Sequence, residues 1–199
     1  ALEVLKGRHE RAAALCRKVG TSCAEMRDAE KLDWFNKGLA ADDVATLGTL
    51  LHWTPRLEVL DLGHNRLGDA GMQALCEGMG RGAAPSLRRL HLTYNQFGPV
   101  GAETLAAALL GGAMPTLEVL SLSGNPIGNQ GVAALAAPLR KLPALKVLRL
   151  ANCEIGDEGV ATLVAGLGKD DFKALKELWL GYNKITDAGA AKLVATIDA

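Results

Sequence analysis

The sequence predicts an open α/β solenoid in which a parallel sheet of short strands is backed by helices. The first observation is a repeat: the segment LEVLDLGHNRLGDAG, at residues 57–71, recurs four more times. The copies begin at Leu57, Leu87, Leu117, Leu145 and Leu175, with a slightly shorter interval before Leu145. The second observation is that each copy joins an alternating segment to an alanine-rich stretch. A unit of this length cannot bury its own core, so each unit must pack against its neighbours.

The bulk composition favours one continuous body and argues against several classes of function. Of the 199 residues, 49% are hydrophobic but only 4% are aromatic, so the predicted core consists of Leu, Ala, Val and Ile. Lysine plus arginine and aspartate plus glutamate both number 22, without the basic excess typical of nucleic-acid binding. No segment approaches the roughly 20 apolar residues of a membrane-spanning helix. We therefore expect one or more protein partners, no nucleic acid and no membrane span.

The cysteines show neither a CxxC pair nor the spacing of a zinc site; they are Cys16, Cys23, Cys76 and Cys153. We predict reduced, buried thiols, and therefore no metal and no cofactor. Reduced thiols indicate an intracellular, cytoplasmic location, with an organelle or a cilium as the alternative. No signal peptide is evident, although the chain begins at Ala1 without methionine, as a processed product or a fragment would.

Each unit is predicted to contain a strand, a turn, a helix and a loop. Residues 59–63 alternate in polarity, which is typical of a strand whose leucines face the core. A large apolar residue and a GxxG element follow, except that Thr186 replaces the first glycine of the fifth copy. Stretches such as 102–110 and 160–167 have the composition and apolar spacing of helices. Proline two positions before a repeat ends the preceding helix, at Pro55, Pro85, Pro115 and Pro143.

The corner after each strand is predicted to be structural. Asparagine occupies it in four copies and cysteine in the fourth of the five, at Asn65, Asn95, Asn125, Cys153 and Asn183. We expect the buried asparagines to form hydrogen bonds with backbone groups that the turn leaves unpaired. Parallel strands lie about 4.8 Å apart, whereas helices are about 10 Å across. The sheet is therefore predicted to line the concave side of an arc, with the helices on its convex side.

Units of this length, with this corner and a full helix each, resemble the ribonuclease-inhibitor-like class of leucine-rich repeats. The resemblance covers residues 57–199 and extends more weakly over 29–56, where Lys37 replaces the corner asparagine. It implies a right-handed horseshoe, and relatives include repeat domains of innate immune receptors and the Ran GTPase-activating protein. The six predicted repeats are 29–56, 57–86, 87–116, 117–144, 145–174 and 175–199.

Residues 1–28 fall outside the repeat. Ser22 and Glu25 are predicted to form a capping box before a short helix, and residues 11–19 another helix that ends at Gly20. An N-terminal helical cap over the exposed end of the core is the preferred interpretation. A degenerate repeat, suggested by LEVL at residues 2–5, is the alternative. The sequence shows no matching C-terminal cap, from which we expect a longer natural protein or a binding contact at that end.

The same alternation predicts which strand residues face outward on the concave side. The central outward column changes from acidic to basic and aromatic, through Asp33, Asp61, His91, Ser121, Arg149 and Trp179. Tryptophan, tyrosine and arginine are the residues that most often anchor interfaces. We predict partner binding by Arg89, His91, Tyr94, Arg149, Asn152, Trp179 and Tyr182. The partner would be basic near the first strands and acidic or apolar near the last. The alternative for Trp179 is a ring covered by a further segment of the protein.

One row on this face has the ingredients of a nucleophilic triad. Asp61, His91 and Ser121 occupy equivalent positions on adjacent predicted strands, about 4.8 Å apart. The face is open, however, and the sequence indicates neither a strained turn that would present the serine nor donors for an oxyanion. We therefore predict no catalytic residue, and expect Asp61 to favour the protonated form of His91.

The sequence thus favours a non-enzymatic module that binds a protein partner on the concave face. In a first alternative, the chain is an architectural subunit of a large multiprotein assembly and is held by its ends and convex face. In a second, suggested by the resemblance alone, it is a GTPase-activating regulator similar to the Ran GTPase-activating protein. No residue here matches the edge loop that such activators use.

Overall fold

The computed structural model describes residues 2–165 and 171–197 and contains one parallel sheet. Its six strands follow each other in sequence order, and each pair has the register that aligns the repeats. The strands are β1 (Lys31–Asp33), β2 (Val59–Asp61), β3 (Arg89–His91), β4 (Val119–Ser121), β5 (Val147–Arg149) and β6 (Glu177–Trp179). The sheet is open, with β1 and β6 at its edges, which confirms the predicted α/β solenoid.

One helix follows each strand, and consecutive helices pack against each other. The helices are α3 (Ala41–Leu50), α4 (Gly68–Gly78), α5 (Pro99–Leu110), α6 (Gly128–Lys141), α7 (Asp157–Val164) and α8 (Asp187–Ile197). A short 3₁₀ helix, Leu51–Trp53, extends α3. The helix predicted at 102–110 begins earlier, at Pro99, because proline fits the first turn of a helix. The helix predicted at 160–167 ends at Val164, and residues 166 and 167 lie outside the described residues.

Two helices precede the sheet. The first, α1 (Leu2–Val19), includes the LEVL segment and is longer than the predicted helix at 11–19. The second, α2 (Cys23–Asp28), begins with the predicted capping box. In this box Glu25 N donates to Ser22 Oγ at 3.1 Å, and Ser22 N donates to Glu25 Oε2 at 2.8 Å. α1 packs against α3, and it contributes buried side chains to the same core as the repeats.

A single hydrophobic core runs along the described chain. The central strand leucines are at most 5% exposed in β1–β5, at Leu32, Leu60, Leu90, Leu120 and Leu148. The equivalent Leu178 in the edge strand β6 is half-buried. This burial confirms the inward direction that the alternation predicts for the strand leucines.

The second glycine of each GxxG element lets the helix begin close to the buried residue four positions earlier. A Cβ atom at Gly101 would lie 2.8 Å from Phe97 Cβ, and one at Gly71 would lie 2.6 Å from Leu67 Cβ. Non-bonded carbon atoms are most stable about 3.5–4.0 Å apart. A larger residue would therefore push the helix away from the core.

Several helices are capped by a side chain of the preceding repeat. Asp69 Oδ1 accepts hydrogen bonds from Gly98 N at 2.7 Å and Gly101 N at 2.8 Å, at the start of α5. Asn129 and Asp157 accept equivalent bonds at the N-terminal ends of α7 and α8. An oxygen acceptor here satisfies backbone N–H groups that have no partner within the helix. These caps join one repeat to the next.

The corner asparagines form the predicted hydrogen bonds. Asn95 Oδ1 accepts from Asn65 N at 3.0 Å, and Asn95 Nδ2 donates to Leu62 O at 2.9 Å. Asn125 repeats both contacts one unit further along. At the cysteine position, Cys153 Sγ lies 3.4 Å from Leu122 O, where a thiol is a weaker donor than an amide. Each asparagine side chain therefore holds two adjacent turns together inside the core.

We expect Asn95→Ala to lower the free energy of unfolding by at least about 2 kcal/mol. The change removes a partner from buried backbone groups of two repeats, and each such loss costs roughly 1–3 kcal/mol. Urea unfolding would measure the difference. Gln73→Ala, at an exposed position of α4, is the control and should change the value by less than about 0.5 kcal/mol. Equal losses in the two variants would contradict the structural role of the asparagine.

Candidate functional site

The outward residues of the strands form an open surface, which we call the concave face. It consists of the first and third residues of β1–β6 and the turn residues that follow each strand. The parallel register places Asp61 opposite His91, and His91 opposite Ser121. It also places Arg149 opposite Trp179. Side chains that are one repeat apart in sequence therefore lie in rows across the sheet.

Arg149 and Trp179 form a cation–π pair at the β5–β6 end of the concave face. The guanidinium carbon of Arg149 lies 5.4 Å from the centroid of the indole ring, within the range of such contacts. Arg149 Nη1 donates to Ser121 Oγ at 3.3 Å, and Trp179 Nε1 donates to Glu177 Oε2 at 3.0 Å. The indole is nevertheless 53% exposed. It is thus held in one orientation while much of its surface faces solvent.

Three aromatic rings stack along the turns after β1, β2 and β3; we call Phe35, His64 and Tyr94 the ring ladder. The ring centroids of Phe35 and His64 are 4.8 Å apart, and those of His64 and Tyr94 are 4.7 Å apart. The Tyr94 ring extends over Gly124, where a Cβ atom would lie 2.5 Å from Tyr94 Cδ1. Phe35 is 47% and Tyr94 48% exposed. The ladder is a second aromatic area on the concave face.

The turn side chains of the concave face share an uncommon backbone conformation. His64, Tyr94, Asn152 and Tyr182 have φ angles of 58°, 52°, 53° and 58°. This left-handed region costs roughly 1–2 kcal/mol for residues other than glycine. Tyr182 is 92% exposed and lies outside the ladder, because Gly124 and Asn152 occupy this position in the two repeats between Tyr94 and Tyr182.

The structure brings together only some of the seven predicted partner-binding residues. Within the described chain, Arg149 and Trp179 are in direct contact, whereas Tyr94 stacks on a residue outside the prediction. Arg89 is exposed and His91 half-buried on β3. Asn152 is exposed on the turn after β5. Phe35 and His64 were not among the predicted residues. The signal for His64 was its position one repeat before Tyr94, in the same column.

The two carboxylates at the acidic end of the concave face have different partners. Lys31 Nζ lies 3.0 Å from Asp33 Oδ2, and the hydrogen bond from Lys31 lowers the pKa of the Asp33 carboxyl. Asp61 Oδ1 accepts a hydrogen bond from Gly63 N at 2.8 Å. The ion pair with Lys31 weakens the attraction of Asp33 for a basic partner, whereas the hydrogen bond to Asp61 comes from a neutral group.

Asp61 favours the protonated form of His91, as expected, but the pKa of His91 is nevertheless lowered. Burial lowers the pKa of His91 below its ordinary value of 6.5, because desolvation disfavours the charged imidazolium. The attraction of Asp61 opposes this effect but does not outweigh it. Nearby positive charges lower the pKa further, at Arg149, Arg89 and Lys31. The prediction considered only the neighbour on the adjacent strand.

The row formed by Asp61, His91 and Ser121 does not have the geometry of a nucleophilic triad. Ser121 is only 1% exposed, and its hydroxyl oxygen accepts a hydrogen bond from Arg149. A nucleophilic serine must instead be accessible and donate its proton to the base. The serine of this row is therefore better described as a support for Arg149.

The cysteines and acidic side chains do not assemble into a metal site in the described part of the chain. Within residues 2–165 and 171–197, no group of three or more His, Cys, Asp or Glu side chains could hold a metal ion. Cys16, Cys23, Cys76 and Cys153 are all free thiols. Cys16 Sγ and Cys23 Sγ lie 3.1 Å apart, a proximity that the sequence spacing did not predict.

None of the helices in the described part of the chain is both long enough and apolar enough to cross a membrane.

Comparison with known families supports the repeat architecture. The model of the family described as Leucine Rich repeat matches residues 56–76, 83–106, 113–136, 141–164 and 174–194, more than half of the chain. The chain belongs to this family. Each match begins near a predicted repeat boundary and includes the strand and at least part of the helix of one leucine-rich repeat. No curated protein sequence matches the chain.

Two solved structures are similar to the chain at low sequence identity. A chain of the Rad7–Elc1 complex of yeast superimposes with a TM-score of 0.50 and 15% identity, with 96% of this chain and 59% of that chain covered. A chain of the TLR13–ssRNA13 complex gives a TM-score of 0.38 and 17% identity, with 89% of this chain and 33% of that chain covered. The chain therefore spans about three fifths of the length of the yeast chain. At this identity the first likeness concerns the fold alone.

We expect His91→Gln to reduce the loss of stability on acidification. Because folding lowers the pKa of His91, the unfolded chain binds the proton more readily as the pH falls below 6.5. The free energy of unfolding then decreases until the folded form is also protonated, and the variant lacks this contribution. Urea unfolding between about pH 7.5 and about pH 5 would show how the free energy of unfolding of each protein changes with pH. The wild type and the variant should differ in this pH dependence at the lower end of the range and agree at the upper end. The same pH dependence throughout would contradict the lowered pKa of His91.

Proposed function

We propose that the chain is a non-enzymatic protein-interaction module that binds a protein partner on its concave face. The proposal rests on the Arg149–Trp179 pair, in which an indole that is 53% exposed is held by Arg149 and Glu177. Tryptophan and arginine are frequent energetic anchors of interfaces. A ring that is already fixed also loses little conformational freedom when a partner covers it.

Further exposed aromatic groups support an extended footprint. Tyr182 follows Trp179 in the same repeat and is 92% exposed. The ring ladder provides a second aromatic area near the other end of the sheet. Six strands at a spacing of about 4.8 Å extend over roughly 24 Å. This length suits an interface of standard size, about 800 Å² on each partner.

The charges of the concave face indicate the chemistry of the partner. Near β5 and β6 a strip that is acidic or apolar would match the guanidinium of Arg149 and the indole of Trp179. Near β1 the carboxylate of Asp33 already pairs with Lys31. We therefore infer that the ring ladder, rather than attraction for basic side chains, contributes most of the recognition at that end.

Two finer assignments accompany this proposal. Within the leucine-rich-repeat family we assign the chain to the ribonuclease-inhibitor-like class, since a helix follows each strand and asparagine or cysteine occupies the corner of each matched repeat. We also infer an intracellular location, since the spacing of the four cysteines shows no disulfide framework.

Cross-linking and mass spectrometry of the natural full-length protein in its source would identify the partner. The proposal expects cross-links from the turns and strand ends of the concave face to one protein. Cross-links that are spread over the helices and both ends, and that reach many subunits of one complex, would instead indicate an architectural subunit.

Once a partner is identified, Trp179→Ala should weaken its binding by about 2 kcal/mol or more, as expected for an interface anchor. The melting temperature should stay close to that of the wild type, because the ring is largely exposed. Calorimetric titration and thermal unfolding would measure the two effects. Leu110→Ala is the control, since Leu110 is 67% exposed on α5 and lies outside the concave face. A lower melting temperature with unchanged affinity would show that Trp179 is structural.

A further inference from the structure

A cleft near the N-terminus lies on elements that the concave face does not use. Its volume is about 870 Å³, and it is lined by α1, α2, α3 and the 3₁₀ helix that extends α3. We call it the N-terminal cleft; the residues that characterise it are Arg8, Arg11, Met26, Arg27, Leu50 and Trp53. Clefts of this size are typical of sites that bury a ligand or the side chains of a partner.

The inner surface of the N-terminal cleft is mainly apolar. Ala12 and Met26 are buried, and Leu50 is half-buried. Trp53 also lines the cleft but is 72% exposed, the largest exposure of any tryptophan in the chain. An indole that lies in water beside an apolar surface provides contact area that a bound group can cover. The cleft is therefore suited to a bulky apolar side chain.

The polar lining of the cleft is predominantly cationic. Arg8, Arg11 and Arg27 contribute guanidinium groups, whereas Asp42 is the one carboxylate among the described residues that line it. Arg27 already forms two hydrogen bonds with Asp28, at 2.9 Å and 3.0 Å. Arg8 and Arg11 are exposed on α1, and no carboxylate within the described chain forms an ion pair with either. Two guanidinium groups thus remain available for an anionic partner.

We propose that the N-terminal cleft binds an acidic peptide segment of a protein partner. In this arrangement carboxylates of the segment pair with Arg8 and Arg11, since a guanidinium can hold a carboxylate through two parallel hydrogen bonds. An apolar side chain of the same segment lies between Met26 and Trp53. A basic segment would instead face three guanidinium groups and a single carboxylate.

Nucleic acid fits the cleft less well than an acidic peptide. Binding to a phosphate backbone depends on an extended row of positive charges, whereas here the cations border an apolar cleft in a chain of zero net charge. The site is independent of the concave face, because none of its lining residues belongs to a strand. It would therefore add a second contact to the proposed interaction module.

Cys23 provides a direct measure of occupancy. It is exposed and lines the cleft, whereas Cys16, Cys76 and Cys153 are buried. Burial raises the pKa of these three thiols to about 12, about 12 and about 11 respectively, which suppresses the reactive thiolate. In a reduced sample, alkylation by iodoacetamide should therefore modify Cys23 first. A peptide bound in the cleft should protect it.

The test starts from a display library of random peptides of about 12 residues selected on the full chain. Enriched peptides should carry a net negative charge and at least one bulky apolar residue. Their synthetic forms should slow the alkylation of Cys23, as followed by mass spectrometry. In fluorescence anisotropy, both the double variant Arg8→Glu/Arg11→Glu and the variant Trp53→Ala should bind at least about tenfold more weakly.

The matched control is Lys6→Glu/Arg17→Glu, which makes the same change of charge at exposed positions of α1 outside the cleft. It should retain the affinity, as should Trp179→Ala on the concave face. The absence of enriched acidic peptides would overturn the proposal. So would equal losses in the two double variants, or an unchanged rate of Cys23 alkylation. Loss of binding in Trp179→Ala would place the peptide on the concave face instead.

Discussion

The hydrogen bonds of the corner asparagines fix the register on which the rest of the structure depends. Asn95 accepts a hydrogen bond from Asn65 N and donates one to Leu62 O, and both of these backbone groups belong to the preceding repeat. Adjacent repeats can form both bonds in only one alignment. That alignment stacks the central leucines in the core and places Arg149 beside Trp179 on the concave face. A slip by one residue would exchange the two faces of every strand. The same register therefore determines both which residues form the core and which residues form the concave face.

Local patterns were sufficient to predict the strands, the corner and the place of Arg149 and Trp179 in one outward column, since all three follow from the period of the repeat. The ring ladder could not be predicted in the same way. Phe35 lies one column away from His64 and leans over Gly63, where a Cβ atom would be 3.1 Å from Phe35 Cδ2. Its position depends on a missing side chain in the next repeat. The lowered pKa of His91 likewise depends on burial and on charges from several strands.

The two proposed binding surfaces differ in how their residues are arranged along the sequence. The concave face is built from equivalent positions of successive repeats, so its aromatic and cationic groups follow the spacing of the strands. The N-terminal cleft is formed where non-repeating helices meet the first repeat, and no periodic pattern describes it. Because one core connects both regions, a partner that contacts both would gain affinity from the linkage of the two sites.

Each cap between repeats comes from a residue that lies earlier in the chain than the helix it caps. Asp69 precedes the helix that it caps by a full repeat, and Asn129 and Asp157 have the same relation to α7 and α8. During synthesis the capping oxygen therefore leaves the ribosome before the helix that needs it. Each new repeat can dock onto an acceptor that is already folded, so the solenoid is suited to assemble from its N-terminal end as it is translated.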